Sequence, residues 1–238
     1  MTPPIRAIAE RGQAYERAYH SLKRAIMSGD MMPGERLVVA ELARRYGTSS
    51  MPIRQALHRL VAERALDERP NRGVEVPKLD VAGLMDLRRV RCAVEGQAAQ
   101  WAAQTITAAE LARLRQIQHR MRAIVDVAQA EDYLALNVDF HFTTYRAARS
   151  PLLIPLIESL WLRVGPYLNT MRTETTLGLG LDQHDEVLAA LERGDGAAAR
   201  AAVERELSEA AEIMARALAG GGAVQPRPPP GRLRRAAG

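Results

Sequence analysis

The sequence predicts a mainly α-helical fold in two parts: an N-terminal winged helix-turn-helix with a small β-hairpin wing, then an all-α bundle of six or seven helices. Three observations lead there. Ala, Leu and Arg are abundant, with 47% apolar residues and only 4% aromatic ones, which favours helices around a real core. Apolar residues recur at intervals of three and four along most of the chain, the period of a helix with one buried face. Two strand-like segments flank Pro70-Asn71-Arg72-Gly73 just after a pair of short helices, the order of a wing following a helix-turn-helix.

Residues 1–13 carry Pro3-Pro4 and no clear period, and read as a flexible N-terminus. A helix is expected from Ala14, with Tyr15, Ala18, Leu22 and Ile26 on one face and a stop near Gly29. Pro33-Gly34 makes a turn. The segment Glu41–Leu60 then reads as two short helices. Leu42, Ala43 and Tyr46 belong to the first, and Gly47 breaks it because glycine tolerates a left-handed backbone. Ser49 or Ser50 can cap the second, and Pro52 falls where a missing N–H does no harm. Ile53, Ala56, Leu57, Leu60 and Val61 form one buried stripe. Ser50, Met51, Arg54 and His58 fall on another face, which holds no carboxylate and suits contact with DNA. The plainer reading is an αα-hairpin with a solvated basic face. Ala65–Glu68 and Val74–Val76 are the hairpin strands, and their tip would bring Asn71 and Arg72 to the minor groove or a phosphate.

The charge is divided to match. Residues 1–78 hold 14 Lys+Arg against 9 Asp+Glu, residues 79–219 hold 15 against 19, and residues 220–238 hold 4 against none. A basic N-terminal part joined to a mildly acidic one suits a DNA-binding module on a partner domain. The single cysteine, Cys92, excludes an internal disulfide and fits a reducing cytoplasm. No apolar run approaches the roughly 20 residues of a membrane span, and the N-terminus lacks the apolar core of a secretory signal. A cytoplasmic protein is expected.

From residue 79 to 219 the periodicity is helical throughout. Asp80 caps a helix with Leu84, Leu87, Val90, Val94, Ala98 and Trp101 near helical spacing. Thr107–Glu110 is a capping box. Glu131 and Asp132 open another helix at its positive end. Ser150-Pro151 starts the next, and Pro155 and Pro166 suggest kinks or breaks. LGLGL at 177–181 is a joint, a helix around Gln183–Leu191 ends at Gly194, and Asp195 caps the last helix, which runs to about Ala219. Residues 220–238, rich in Gly, Pro and Arg, form a disordered basic tail that solubilises or adds phosphate contacts.

Here the chain resembles a known family. The stretches SGDMMPGERL, ELARRYGTSSMPIRQALHRL and ERPNRGVEV, within residues 14–78, look like the DNA-binding domain of GntR-family transcription regulators. LRRVRCAVEGQAAQWAA, NVDFHFTTYRAARSPLL and HDEVLAALERGDGAAARAAVERE resemble the FCD domain of the FadR-type subfamily, which binds effectors and mediates dimerisation. The resemblance places Pro52 and Arg54 in the opening motif of the recognition helix, with Arg54 on DNA, and Gly73 at the wing glycine. Ser49, Ser50, Met51 and His58 share that surface. Relatives often carry Arg or Lys where this chain has Ser50, which puts base preference in doubt.

Asn137 and His141 share a helical face, and His184 and Glu206 lie on two later helices that a bundle can bring together. On spacing alone, each histidine could equally fill a core gap. The resemblance adds that many FCD domains hold a divalent metal through Asp or Asn, a His four residues on, and two further histidines. Asn137, His141 and His184 match, Phe140 matches the aromatic before the first His, and Glu206 stands at the third histidine. Zinc, nickel or manganese would suit this set, with the carboxylate favouring a harder metal. The resemblance also implies that Arg91 faces the effector cavity and forks onto a carboxylate; otherwise it pairs with Glu95 on the surface. Tyr145, Arg163 and Arg172 are further candidates for the cavity wall.

The function implied is a dimeric regulator that binds a double-stranded operator under control of a small organic acid. The alternative is a metal-dependent enzyme acting on a small acid in the bundle, with Asp139, Asp185 or Glu186 near the ligands as a general base.

Overall fold

The computed structural model describes residues 5–70, 73–173 and 176–220. The wing tip, Asn71 and Arg72, and the tail beyond Gly220 lie outside the described residues. Helix α1 (Ile5–Met27) begins well before the expected Ala14. The residues after Pro4, IRAIAERGQ, are mostly good helix formers, and an established helix extends at little cost per residue. Its face carries Tyr19, Leu22 and Ile26, each at most 2% exposed. They pack with α3 (Ser50–Ala62), whose Ile53, Leu57 and Leu60 are equally buried. Burying each such side chain contributes about 1.5–3 kcal/mol.

Between them lies α2 (Val39–Arg45), and Gly47 turns the chain with φ 61°. Ser49 takes the N-cap position of α3 but its side chain makes no capping bond; it stays exposed. The wing is β2 (Asp67–Arg69) against β3 (Gly73–Glu75). It starts later than expected because Ala65 and Leu66, 2% and 1% exposed, are core residues and not strand residues. A two-residue strand, β1 (Arg36–Leu37), joins the other edge of β3 and completes a sheet of order β1-β3-β2. Two residues are too few to show alternation in a sequence.

The second part holds α4 (Val81–Thr105), α5 (Ala108–Arg122), α6 (Ala130–Ala147), α7 (Leu153–Val164), α8 (Leu181–Glu192) and α9 (Gly196–Ala219). The caps fall where the sequence puts them: Asp80 accepts from Gly83 N, Thr107 and Glu110 close their box, and Asp195 accepts from Ala198 N. Pro155 sits in the first turn of α7 without breaking it, whereas Pro166 lies in a 3-10 segment (Gly165–Met171) that ends the helix. α4 and α9 run against each other through Ala98, Ala99, Ala102, Ala199 and Ala202, all at most 1% exposed. Val90 and Trp101, expected inside, are 40% and 43% exposed. The buried face of α4 instead takes in Arg91 and Glu95.

The two parts meet along α1. Lys23 pairs with Glu158 of α7 at 2.7 Å, Arg24 with Asp139 of α6 at 2.9 Å, and Arg172 with Asp30 at 2.6 Å. Gly165 lies against the end of α1 so closely that a Cβ there would stand 2.3 Å from the Ile26 carbonyl oxygen.

Candidate metal and effector site

Three helices converge on a buried group of donors. α6 supplies His141, α8 supplies His184 and α9 supplies Glu206, at 2%, 0% and 9% exposure. Glu206 Oε1 lies 3.0 Å from His141 Nε2 and 2.9 Å from His184 Nε2, and the two Nε2 atoms are 3.4 Å apart. The ligand atoms of all three residues lie within 4.8 Å of one another.

A chain of bonds behind His141 sets which of its nitrogens faces the group. Glu95, 0% exposed, accepts from Arg91 Nε at 2.6 Å, from Tyr145 Oη at 2.8 Å and from Trp161 Nε1 at 2.9 Å. Because Tyr145 gives its proton to Glu95, its oxygen accepts from His141 Nδ1 at 3.0 Å. That leaves Nε2 of a neutral His141 with a lone pair directed at Glu206 and His184. Such an outer partner is how metal-binding histidines are oriented. Phe140 fixes the other ring, stacking on His184 with centroids 4.2 Å apart.

The donors fit a divalent cation. Two imidazole nitrogens and a carboxylate oxygen point at one small volume, and a lone pair facing a carboxylate is repulsive unless a cation or proton lies between them. Burial alone would raise the Glu206 pKa; with protons in place of a metal on the two Nε2 atoms, the charge of His141 and His184 and their hydrogen bonds outweigh burial and hold the carboxyl well below the usual range. Its Oε2 is buried with no hydrogen-bond partner among the described residues, as is His184 Nδ1.

A cavity of about 90 Å³ opens beside the group. Asn137, half-buried and one turn before His141, lines it together with Arg91, His141 and Glu206. Arg91 is 5% exposed, so its pairing with Glu95 is internal and the surface alternative does not hold. Burial alone lowers the Arg91 pKa; Glu95 outweighs it, and the net shift is upward.

Three expected wall residues lie elsewhere. Tyr145 is fully buried behind His141 and does not line the cavity, because its hydroxyl is held between Glu95 and His141. Arg163 faces outward from α7 and lines a larger open cleft of about 470 Å³ with Arg64, Leu66 and Leu79. Arg163 is two positions after Trp161 on α7, about half a turn of rotation away from that residue's inward face. Arg172 is also absent from the cavity wall, being bound to Asp30 and Glu131. The smaller cavity is the better site despite its size, since the buried polar groups converge there. Sequence reading missed Tyr133 and Trp161, both on its wall. Tyr133 was within reach: Tyr133, Asn137 and His141 repeat every four residues on α6.

Asp139, Asp185 and Glu186 are all engaged with surface cations, pairing with Arg24, Arg122 and Arg205. None of the three lines the cavity.

On the DNA-binding side, Ser49, Ser50, Met51, Arg54, His58 and Gly73 are exposed, with Met51 at 61%. Arg54 has no ion-pair partner among the described residues. Pro52 is buried, because its ring packs inward beside Ile53, and is not placed to touch DNA.

A winged helix-turn-helix fixed to a helical domain with an internal polar cavity is the layout of a sensory DNA-binding regulator. Residues 14–76 match the model of bacterial regulatory proteins of the gntR family, and residues 86–218 match the FCD domain. The chain belongs to the GntR family of transcription regulators, in the group that carries an FCD domain. It is 30% identical over 179 residues to the HTH-type transcriptional regulator McbR of Escherichia coli K12, covering 74% of this chain and 81% of that protein. It is 29% identical to the transcriptional repressor RspR of the same strain, over 84% of this chain and 88% of the other. The solved structure of E. coli McbR/YncC superposes with a TM-score of 0.77 at 27% identity, covering 84% of this chain and 96% of that one. Among the described residues no helix is long and apolar enough to cross a membrane.

Proposed function

We propose that this chain is a cytoplasmic, dimeric regulator whose affinity for a DNA operator is set by a small organic acid bound beside a divalent metal in the helical domain. The buried convergence of His141, His184 and Glu206 next to Arg91 carries this reading. His141, His184 and Glu206 would hold the metal, with Asn137 one turn away as a further oxygen donor. The metal would offset the Glu206 charge and supply a Lewis-acidic anchor for a carboxylate. Arg54, with Ser49, Ser50, Met51, His58, Gly73 and the wing residues Asn71 and Arg72, would form the DNA contact. Two such surfaces in a dimer would enter successive major grooves about 34 Å apart. Ligand binding changes operator affinity only if the two states bind the ligand differently, so the coupling must be reciprocal.

The test uses protein without a histidine tag. Metal content is measured by mass spectrometry, and binding to duplexes selected from a random-sequence pool is measured with and without zinc and organic acids. Metal at about one equivalent and an acid-dependent change in DNA affinity are expected. Protein that is metal-free, takes up no zinc, nickel or manganese, and binds DNA identically under every condition would overturn the reading.

A further inference from the structure

The cavity beside the metal group has two unlike ends. Its polar end holds Arg91, Asn137, His141 and Glu206. Its other side is mostly apolar, built from Leu168, Met171, Ile213 and Met214 among others, with Thr176 and the exposed Glu209 also on the wall. At about 90 Å³ it takes a small molecule, no larger than the benzene that a cavity of about 150 Å³ accepts. Tyr133 also lines it, is 5% exposed, and has a buried hydroxyl with no hydrogen-bond partner among the described residues. Buried hydroxyls nearly always have a partner, so an orphan on a cavity wall marks a position where a ligand atom belongs.

We infer that the effector is a short monocarboxylic acid with an apolar body, and that Tyr133 is a specificity residue donating a hydrogen bond to its carboxylate. This rests on the reading of the cavity as the effector site. Burial, followed by the charge of Glu206, raises the Tyr133 pKa, so the phenol stays protonated and is a donor. Arg91 is already engaged by both oxygens of Glu95 and is poorly placed to hold a second carboxylate alone. Glu206 adds a negative charge at the same end, so the acid binds there only once a divalent cation outweighs it. Away from the metal group the wall offers only the Thr176 hydroxyl, already bonded to Thr173, and the Glu209 carboxylate, which repels a second carboxylate; a row of hydroxyls placed against the apolar residues would lose its hydration. Dicarboxylic acids and sugar acids are therefore excluded.

Butyrate and succinate make the test. They share a four-carbon chain and differ only in the far carboxylate. Full-length zinc-loaded protein is melted with each acid, and Kd values are taken by calorimetry. Butyrate raises the melting temperature and succinate does not. Tyr133→Phe keeps the metal content and keeps or raises the basal melting temperature, since it deletes an unpaired buried polar atom. It weakens butyrate binding by roughly tenfold or more, the loss of one hydrogen bond to a charged group. Without zinc the butyrate shift disappears. Succinate binding as tightly as butyrate, or Tyr133→Phe binding butyrate as the parent does, overturns this inference and leaves the effector site standing. Absence of any shift with either acid, alongside DNA binding unaffected by a wider panel of acids, overturns both.

Discussion

Arg91 and Glu95 stand one turn apart on α4 and close a two-bond fork inside the protein, Nε to Oε1 at 2.6 Å and Nη2 to Oε2 at 3.3 Å. Their side chains are 6% and 0% exposed. Glu95 is the hub, because Tyr145 and Trp161 donate to it as well. Removing its charge leaves Arg91 buried and unpaired, which costs about 3–5 kcal/mol by analogy with other buried pairs broken on one side. Glu95→Gln is therefore expected to lower the urea-unfolding free energy by that order. Arg91→Met combined with Glu95→Gln should cost less than Glu95→Gln alone, because no stranded charge remains. A single variant as stable as the parent would show that the pair is hydrated in solution.

Glu206 makes the second prediction, on pH. Its folded-state pKa is depressed below the ordinary value of about 4.3. A depressed carboxylate stabilises the fold fully above its unfolded pKa and loses that contribution as pH falls through its folded one. Metal-free protein should lose stability below about pH 4, and Glu206→Gln should lack this part of the acid transition. Urea unfolding between pH 6 and 3 measures both. The same variant should take up less metal, since an amide oxygen is a weaker ligand than a carboxylate. Equal metal content in parent and variant would remove Glu206 from the ligand set.

The third concerns DNA. Arg54 is exposed on α3 and free of any ion pair among the described residues, so its loss should leave folding unchanged within about 0.5 kcal/mol. Arg54→Ala should nonetheless weaken binding to a selected duplex by about 1–3 kcal/mol and relax base preference at one position. Fluorescence anisotropy across a salt series separates base readout from phosphate contact, because only the latter changes the salt slope. Identical affinity and identical selected sequences would mean that α3 meets DNA by another face.

What could be read from the sequence follows what is local. Asp80, Thr107, Glu110 and Asp195 announce helix starts because a cap needs only residues three apart. The stripe of Ile53, Ala56, Leu57 and Leu60 needs only helical periodicity, and all four are buried. The gathering of His141, His184 and Glu206 was approachable for a different reason, through resemblance, since their separation in sequence carries no geometry. Failures came where a partner decides the matter. The alanines of α4 allow several buried faces, and contact with α9 selected the one containing Arg91 and Glu95 over Val90 and Trp101. Trp161 was invisible as a cavity residue because its hydrogen-bond partner, Glu95, lies on α4, three helices earlier in the chain. β1 was too short to show a pattern and exists only because β3 offers an open edge.

The last prediction tests the junction between the two parts. Gly165 faces the end of α1, where an added Cβ would meet Ile26 O at 2.3 Å and Met27 Cα at 2.7 Å. Both are backbone atoms, so relief requires the helix and the 3-10 segment to separate. Leu168 and Met171 of that segment line the cavity beside His141 and Glu206, which links the junction to the proposed site. Gly165→Ala is expected to cost about 1–3 kcal/mol, as overpacking does. It should also speed amide hydrogen exchange in the last turn of α1, while metal content stays at the parental level. Gly12→Ala in the same helix is the control: among the described residues nothing lies within 4 Å of a Cβ there, so the change should stabilise by up to about 1 kcal/mol through helix propensity alone. Unchanged exchange and melting in Gly165→Ala would mean that α1 and the segment are not in contact in solution, and the route from cavity to winged helix would have to run elsewhere.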